Sequence, residues 1–289
     1  MISWIALSLG SAFFAGLVAI FSKLGIANIS SNLATAIRTI VVVVLAWIVV
    51  FITGAMREVS TITTPTLIIL VLSGIATGAS WLFFFRALQL GDATKVVTVD
   101  RLSIVLTIIV GIIIFGESTG YLQILGIGLL ALGTFLVVAQ RSDPNDSNQL
   151  KNLWIIYAAA GACCASLTAL LAKWGLENID SNLATAIRTI VVVIMAWFIV
   201  LIAGEHRQVR SILGRDLVFL GLSGVATGAS WLLFFAALKS GPVSGVVPVD
   251  KLSLVVTAIA SWIVFRERQS PRALAGLAVV VVGTTLLVQ

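Results

Sequence analysis

A thirteen-residue segment, SNLATAIRTIVVV, stands at Ser31–Val43 and again, unchanged, at Ser181–Val193. A second segment, LSG-ATGASWL, stands at Leu72–Leu82 and at Leu222–Leu232, with one Ile/Val difference. The offset is 150 residues in both cases and holds without gaps from Lys23/Lys173 to Glu117/Glu267. One unit has been duplicated in tandem; this is not a many-repeat solenoid. Each copy carries five apolar runs, at 3–24, 32–54, 65–89, 94–115 and 121–139, then 153–173, 182–203, 216–238, 244–265 and 271–288. A bilayer core takes roughly 20 apolar residues per helix. Lipid offers no partner to an exposed backbone group, so runs of this length are expected to be helices. Because five is odd, the second copy must insert upside down relative to the first.

The expected fold is therefore an all-α integral membrane protein of ten transmembrane helices in two inverted five-helix repeats. The repeats span 1–140 and 152–289, with the polar stretch 141–151 as linker. Composition agrees: 60% of the 289 residues are hydrophobic and 10% charged, with a mean hydropathy of +1.14. Soluble domains are nearer half apolar and a quarter charged, which excludes a cytosolic enzyme, a nucleic-acid binder and a disordered chain. The start, MISW, carries no Lys or Arg, so the first run reads as a mature helix and not a secretory signal.

The net charge of +6 is read as loop charge that orients the helices. With the amino terminus outside, Lys23, Arg86, Lys95, Arg141, Lys151, Arg207, Arg210, Arg215, Arg266, Arg268 and Arg272 fall at or near the cytoplasmic side. Only Arg57, Lys173 and Lys239 then fall outside. The positive-inside rule thus puts both termini outside the cell membrane.

Chemistry-bearing residues are few. Cys163 and Cys164 are adjacent inside an apolar run, and His206 is the one histidine, so neither a disulfide framework nor a metal cluster is expected. No nucleophile–base set and no phosphate-binding Gly-rich loop is present, so neither an enzyme nor an ATP-driven pump is expected, and no cofactor. Ionisable groups within spans are costly and usually face a bundle interior or an aqueous path. Arg38 and Asp100 lie about seven residues into spans two and four, roughly 10 Å deep. Arg188 and Asp250 repeat the pattern from the other side, and Arg101 and Lys251 follow the acids directly. Arg86 stands where copy two has Ala236, which makes the site asymmetric.

Asp100, Arg101, Asp250, Lys251 and Arg86 are taken as binding residues for a small anionic or zwitterionic molecule. Arg38 and Arg188 are taken as structural partners that neutralise the acids, because an unpaired buried charge is worse. Ser103 and Thr107 share a helix face with Asp100, as Ser253 and Thr257 do with Asp250. Ser73, Thr77 and Ser80, echoed by Ser223, Thr227 and Ser230, form a second stripe. These stripes fit a lined cavity, and they equally fit tight packing with hydroxyls bonded to their own backbone. Trp81 and Trp231 lie deep in their spans, where they wall a cavity or pack a core. Gly74, Gly78, Gly224 and Gly228 read as packing positions. Glu117 and Glu267 end spans four and nine, where a helix C-terminus disfavours an acid, so a local partner is expected. Pro248 stands just before Asp250, where copy one has Thr98, and is a candidate hinge or cavity-widening break.

SNLATAIRT, then LSG-ATG-SW-FFRAL, TVDRLS at Thr98–Ser103, VPVDKLS at Val247–Ser253 and the closing Gly116–Glu117 together resemble the EamA domain of the drug/metabolite transporter superfamily. Copy two closes with Arg266–Glu267, which lacks the glycine. The resemblance covers nearly the whole chain, twice. It implies ten helices in two inverted halves, with spans three, four, eight and nine lining the substrate path. It also implies export of amino acids, metabolites or drugs, and cytoplasmic termini, against the loop charges. Small multidrug members carry a glutamate in the first helix. Spans one and six here have no carboxylate, which speaks against simple cation/proton antiport.

The function expected is secondary transport of a small amino-acid-like, zwitterionic or anionic metabolite across the cell membrane by alternating access. A lipid-linked metabolite flippase and a multidrug-cation exporter are the alternatives. The expected partners are the small-molecule substrate, membrane lipid and, as a candidate coupling ion, the proton. One chain suffices as the working unit, since the two halves are fused.

Overall fold

The computed structural model describes residues 3–25, 30–90, 93–117, 120–138, 153–177, 179–212, 214–266 and 270–288, and the linker expected at 141–151 lies outside them. Copy one folds into α1 (Trp4–Gly25), α2 (Ser31–Thr53), α3 (Thr64–Leu90), α4 (Ala93–Phe115) and α5 (Tyr121–Val138). Copy two folds into α6 (Leu153–Gly175), α7 (Ser181–Ile202), α8 (Gly214–Ser240), α9 (Val243–Asp250), α10 (Ser253–Phe265) and α11 (Pro271–Val288). Eight stretches, with α9 and α10 counted together, are long and apolar enough to cross a membrane; α4 and α5 contribute the shorter apolar runs Ser103–Phe115 and Tyr121–Leu136.

Local chemistry sets the helix ends at matching positions in both copies. The Ser30 hydroxyl accepts from the Leu33 amide, and the Asp180 carboxylate accepts from Asn182 and Leu183. These caps satisfy amides that a first turn leaves free. Gly54 and Gly204, at φ +73° and +70°, end α2 and α7 in the left-handed region that a side chain disfavours. Each leads into a short 3-10 turn, Ala55–Thr61 and Glu205–Ser211.

The inversion is written in the contacts between equivalent helices. A Cβ at Gly126 of α5 would lie 2.8 Å from the Gly283 carbonyl of α11, and one at Gly133 would lie 2.8 Å from the Gly276 carbonyl. Contacts that pair 126 with 283 and 133 with 276 require antiparallel helices. The middle helices agree. Glu205, just past the end of α7, accepts from Ser30 and Asn32 at the start of α2 (2.6 and 3.1 Å). Glu58, past the end of α2, accepts from the Asp180 amide at the start of α7 (2.8 Å). The copies also interlock: α1 packs on α8, and α6 on α3.

Glycines set how closely the central helices approach. A Cβ at Gly74 would meet Val191 at 2.7 Å, and one at Gly78 would meet Met195 at 2.5 Å, so α3 lies directly on α7. Gly224 and Gly228 place α8 on Val41 and Leu45 of α2 at 2.6 and 2.8 Å. The packing role expected of these four glycines is the one they have. With no hydrophobic force between helices in lipid, such close approach is the main source of attraction.

The copies differ in the ninth span. The expected single helix 244–265 is broken: α9 ends at Asp250 and α10 begins at Ser253, while α4 runs unbroken through the same register. Pro248 is inside α9, and the Lys251 and Leu252 amides tighten onto the Pro248 and Val249 carbonyls at 3.0 Å. Pro248 has no amide to give the Ser244 carbonyl, which weakens α9, and the turn after it tightens to i→i+3 bonds before α10 begins.

A second difference is at the closing pair. Gly116 has φ +63°, and its counterpart Arg266 is forced to φ +56°. A left-handed non-glycine residue costs roughly 1–2 kcal/mol. Arg266→Gly is expected to stabilise the protein by about 1 kcal/mol and raise its unfolding midpoint in detergent by roughly 2–4 °C. An unchanged or lower midpoint would contradict the strain at this turn.

Candidate transport site

The broken span places Asp250 against α1. Its side chain is buried, and Oδ1 accepts from the Ser11 hydroxyl at 2.6 Å. Ser11 in turn meets the Ser230 hydroxyl of α8 at 3.1 Å. The Lys251 ammonium reaches Oδ2 at 3.2 Å. A carboxylate, an ammonium and two hydroxyls from three elements therefore converge where backbone bonding is already disturbed. Eleven residues further along α1, ~16 Å, Ser22 meets Ser223 at 2.9 Å and accepts from Arg38 Nη1 at 3.2 Å. The seam between α1 and α8 is thus a polar ladder with an acid at one end and a guanidinium at the other.

The expected pairing of Arg38 and Arg188 with the mid-span acids is not what forms. Arg188 Nε donates to Ser73 Oγ at 2.9 Å and Nη2 to Thr77 Oγ1 at 3.4 Å, both on α3, and its guanidinium lies 4.1 Å from the Phe235 ring centre. Arg38 uses Ser22. Glycine explains the redirection. Gly74 and Gly224 bring the backbone of each arginine, at the carbonyl, to 3.2 and 2.8 Å of where a Cβ would be, so each helix leans onto the third helix of the other copy. Asp250 is already held by Ser11 and Lys251.

The other expected site residues divide. Asp100 is half-buried, Arg86 is exposed, and the Arg101 side chain lies outside the described residues. Thr107 donates to its own helix at the Ser103 carbonyl (2.7 Å), and Thr257 ties α10 to the Gly16 carbonyl of α1 (3.2 Å). Ser103 and Ser253 are half-buried and Ser80 is buried. Trp231 packs half-buried against the main core, and Trp81 against Leu33, Ala36, Ala196 and Val200. Where copy two receives the Ser11 hydroxyl, copy one has Gly161, which lets α6 settle on the backbone of α3 at Ser80 and Phe84 (3.4 Å).

A polar clamp grips the turn from α8 into α9. Glu117, past the end of α4, accepts from the Val243 and Ser244 amides at 2.6 and 2.9 Å. Lys173, near the end of α6, donates to the Leu238 and Gly241 carbonyls at 2.5 and 2.8 Å. An acid on a helix N-terminus and an ammonium on a C-terminus match the helix dipoles. The partner expected for Glu117 is therefore another helix's amides; Glu267 and Arg268 lie outside the described residues. Trp4 closes the same turn, its indole within 2.6–2.7 Å of where a Cβ at Gly241 or Gly245 would stand.

Ser11 and Ser22 were missed by sequence reasoning. They share a face of α1, but their counterparts are Gly161 and Ala172, so the repeat gave no signal.

The family model of the EamA-like transporter family matches residues 2–139 and again 152–289. The chain belongs to that family. A relative from Sinorhizobium sp., named "Uncharacterized transporter in cobO 3'region", is 45% identical over 135 residues, which are 47% of this chain and 96% of the relative. That relative is therefore about the size of one copy. A "Probable 4-amino-4-deoxy-L-arabinose-phosphoundecaprenol flippase subunit" from Salmonella paratyphi B is 30% identical over 71 residues, 25% of this chain and 64% of the subunit. A crystal structure of another protein superposes with a TM-score of 0.79 at 14% identity, covering 97% of this chain and 95% of the other, which is a likeness of fold. This EamA-like protein is a multi-pass membrane transporter, and its broken ninth span holds the buried Asp250.

Proposed function

We propose that this EamA-like protein is a secondary transporter that exports a small amino-acid-like, zwitterionic or anionic metabolite by alternating access. The observation that carries this reading is the buried Asp250, held by Ser11 and Lys251 at the break between α9 and α10. Discontinuous spans near mid-membrane are where transporters bind cargo, because freed backbone groups and charges can exchange partners there. Asp250 suits a cargo ammonium, Lys251 suits a carboxylate, and Asp250 is also a group that a proton can occupy when the cargo leaves. Inverted repeats supply two states of similar energy, in which either end of the bundle opens. The clamp of Glu117 and Lys173 ties α4 and α6 to the turn between α8 and α9, a contact that must open or shift if that end of the path opens. The same proposal puts the protein in the cell membrane, with the termini outside on the loop charges.

A second reading, a flippase for a lipid-linked sugar, draws on the Salmonella relative. Proteoliposomes containing the full chain separate the two. Loaded with labelled amino acids, they are expected to lose label faster than protein-free vesicles. Movement of a polyprenyl-phosphate sugar without amino-acid loss would move the assignment to the flippase. Movement of neither would overturn the transport reading.

A further inference from the structure

Arg188 sits 2% exposed within the bundle, and among the described residues no carboxylate bonds to it. Its contacts are two hydroxyls and one ring. Both hydroxyls have already placed their protons elsewhere: Ser73 donates to the Thr168 carbonyl at 2.7 Å, and Thr77 to the Ser73 carbonyl at 3.0 Å. They offer Arg188 neutral oxygen lone pairs and nothing that cancels its charge. Nη1 is buried and bonds to no atom of the described residues. A buried, hydrogen-bonding cation without a counter-charge is a costly arrangement for a fold to keep. The ring of Phe235 lowers that cost without removing it.

The guanidinium is also rigidly aimed. Nε is fixed by Ser73 and one flat face by Phe235, so the outer Nη edge is the part left to present. Such a planar fork matches an oxyanion with two oxygens. It is joined to the transport path proposed above through α8, which carries both Phe235 and Ser230. Phe235 belongs to the buried cluster that includes Val243, Val246 and Val247 of α9, the helix that ends in Asp250. On α8, Phe235 follows Ser230 by five residues, a rise of ~7.5 Å. Arg38, at the equivalent position, is half-buried and has its Nη1 bonded to Ser22, whereas the Arg188 Nη1 is enclosed and unbonded among the described residues.

We propose that Arg188 is an oxyanion-binding residue, receiving a carboxylate or phosphate group of the cargo on its Nη edge while Ser73 and Phe235 hold the guanidinium in place. This rests on the transport reading and deepens it by giving the anionic pole of the cargo a second contact in addition to Lys251. The binding step is separable from it, because the anion site does not need Asp250.

The test is thermal unfolding of the purified full chain titrated with sodium acetate or sodium phosphate, against sodium chloride at equal ionic strength. The wild-type midpoint is expected to rise saturably by roughly 3–5 °C at ten times the apparent Kd. Saturation by acetate identifies a carboxylate site, and saturation by phosphate a phosphate site such as a lipid-linked headgroup carries. R188Q is expected to lose the saturable rise. R188K, which keeps the charge and not the fork, is expected to bind at least tenfold more weakly and decides the question if R188Q does not fold. D250N is expected to keep the rise, so failure of the Asp250 assignment would leave this one standing. No saturable rise in the wild type, or the same apparent Kd in R188K or R188Q as in the wild type, would overturn the proposal.

Discussion

Asp250→Asn is expected to reduce transport by reconstituted protein at least a hundredfold, while insertion and fold are retained. The substitution keeps the shape and an acceptor oxygen for Ser11, so the 2.6 Å contact has a replacement. It removes the charge that faces Lys251 at 3.2 Å. Two mechanisms then fail together. A cargo ammonium loses its ionic partner, and hydrogen bonds between charged groups contribute about 1.5–3 kcal/mol more than none. The site also loses its one proton-accepting group, which removes any turnover step that depends on reprotonation. Lys251 is left as an uncompensated cation where the helix is broken, which further disfavours a positively charged cargo group. The measurement is initial flux in proteoliposomes at matched protein content. Normal flux by D250N would remove Asp250 from the path. Asp100→Asn is expected to have a smaller effect, since its helix is continuous and Ser11 has Gly161 as its counterpart.

Gly133→Val on α5 is expected to be the most damaging packing change. A Cβ there falls 2.7 Å from the Val280 amide nitrogen and 2.8 Å from the Gly276 carbonyl oxygen of α11, both backbone atoms. Neither can swing aside as a side chain can, so the two helices must separate along their whole seam. Overpacking in a well-packed core costs about 1–3 kcal/mol, and a backbone clash lies at or above the top of that range. Gly283→Val should act alike, because its Cβ would fall 2.7 Å from the Leu130 amide nitrogen. Gly128→Ala, on the same helix with nothing within 4 Å, is the internal control and should be neutral or mildly stabilising. Unfolding in detergent reads all three. Equal midpoints for Gly133→Val and Gly128→Ala would show that the α5–α11 seam does not hold the halves together.

The helices and their inversion were legible because lipid makes the constraint severe. Length and apolarity alone mark a spanning helix, and an odd number of spans in a perfect tandem repeat leaves one topology. Glycine roles were legible too, since Gly74, Gly78, Gly224 and Gly228 repeat at the same register. What the repeat hid was its own asymmetry. Ser11 and Ser22 have Gly161 and Ala172 as counterparts, so the residue that grips Asp250 carried no duplicated signal. The arginine pairing failed for a different reason. Shared depth in the membrane does not fix which way around the helix a side chain turns, and glycines on the third helices set the lean of α2 and α7 that points Arg38 and Arg188 away from the acids. Glu117 was recognised as needing a partner, but that partner is the N-terminus of α9, a contact between two spans that sequence spacing does not reveal.

Binding of cargo at the broken ninth span depends on Asp250. Its most direct test is thermal stabilisation of the purified full chain by a panel of amino acids, organic cations, nucleotides and sugar phosphates, run on the wild type and on D250N side by side. A zwitterionic member of the panel is expected to raise the wild-type midpoint, and D250N to lose most of that rise. Stabilisation of equal size in both proteins would contradict it and place the binding site elsewhere in the bundle.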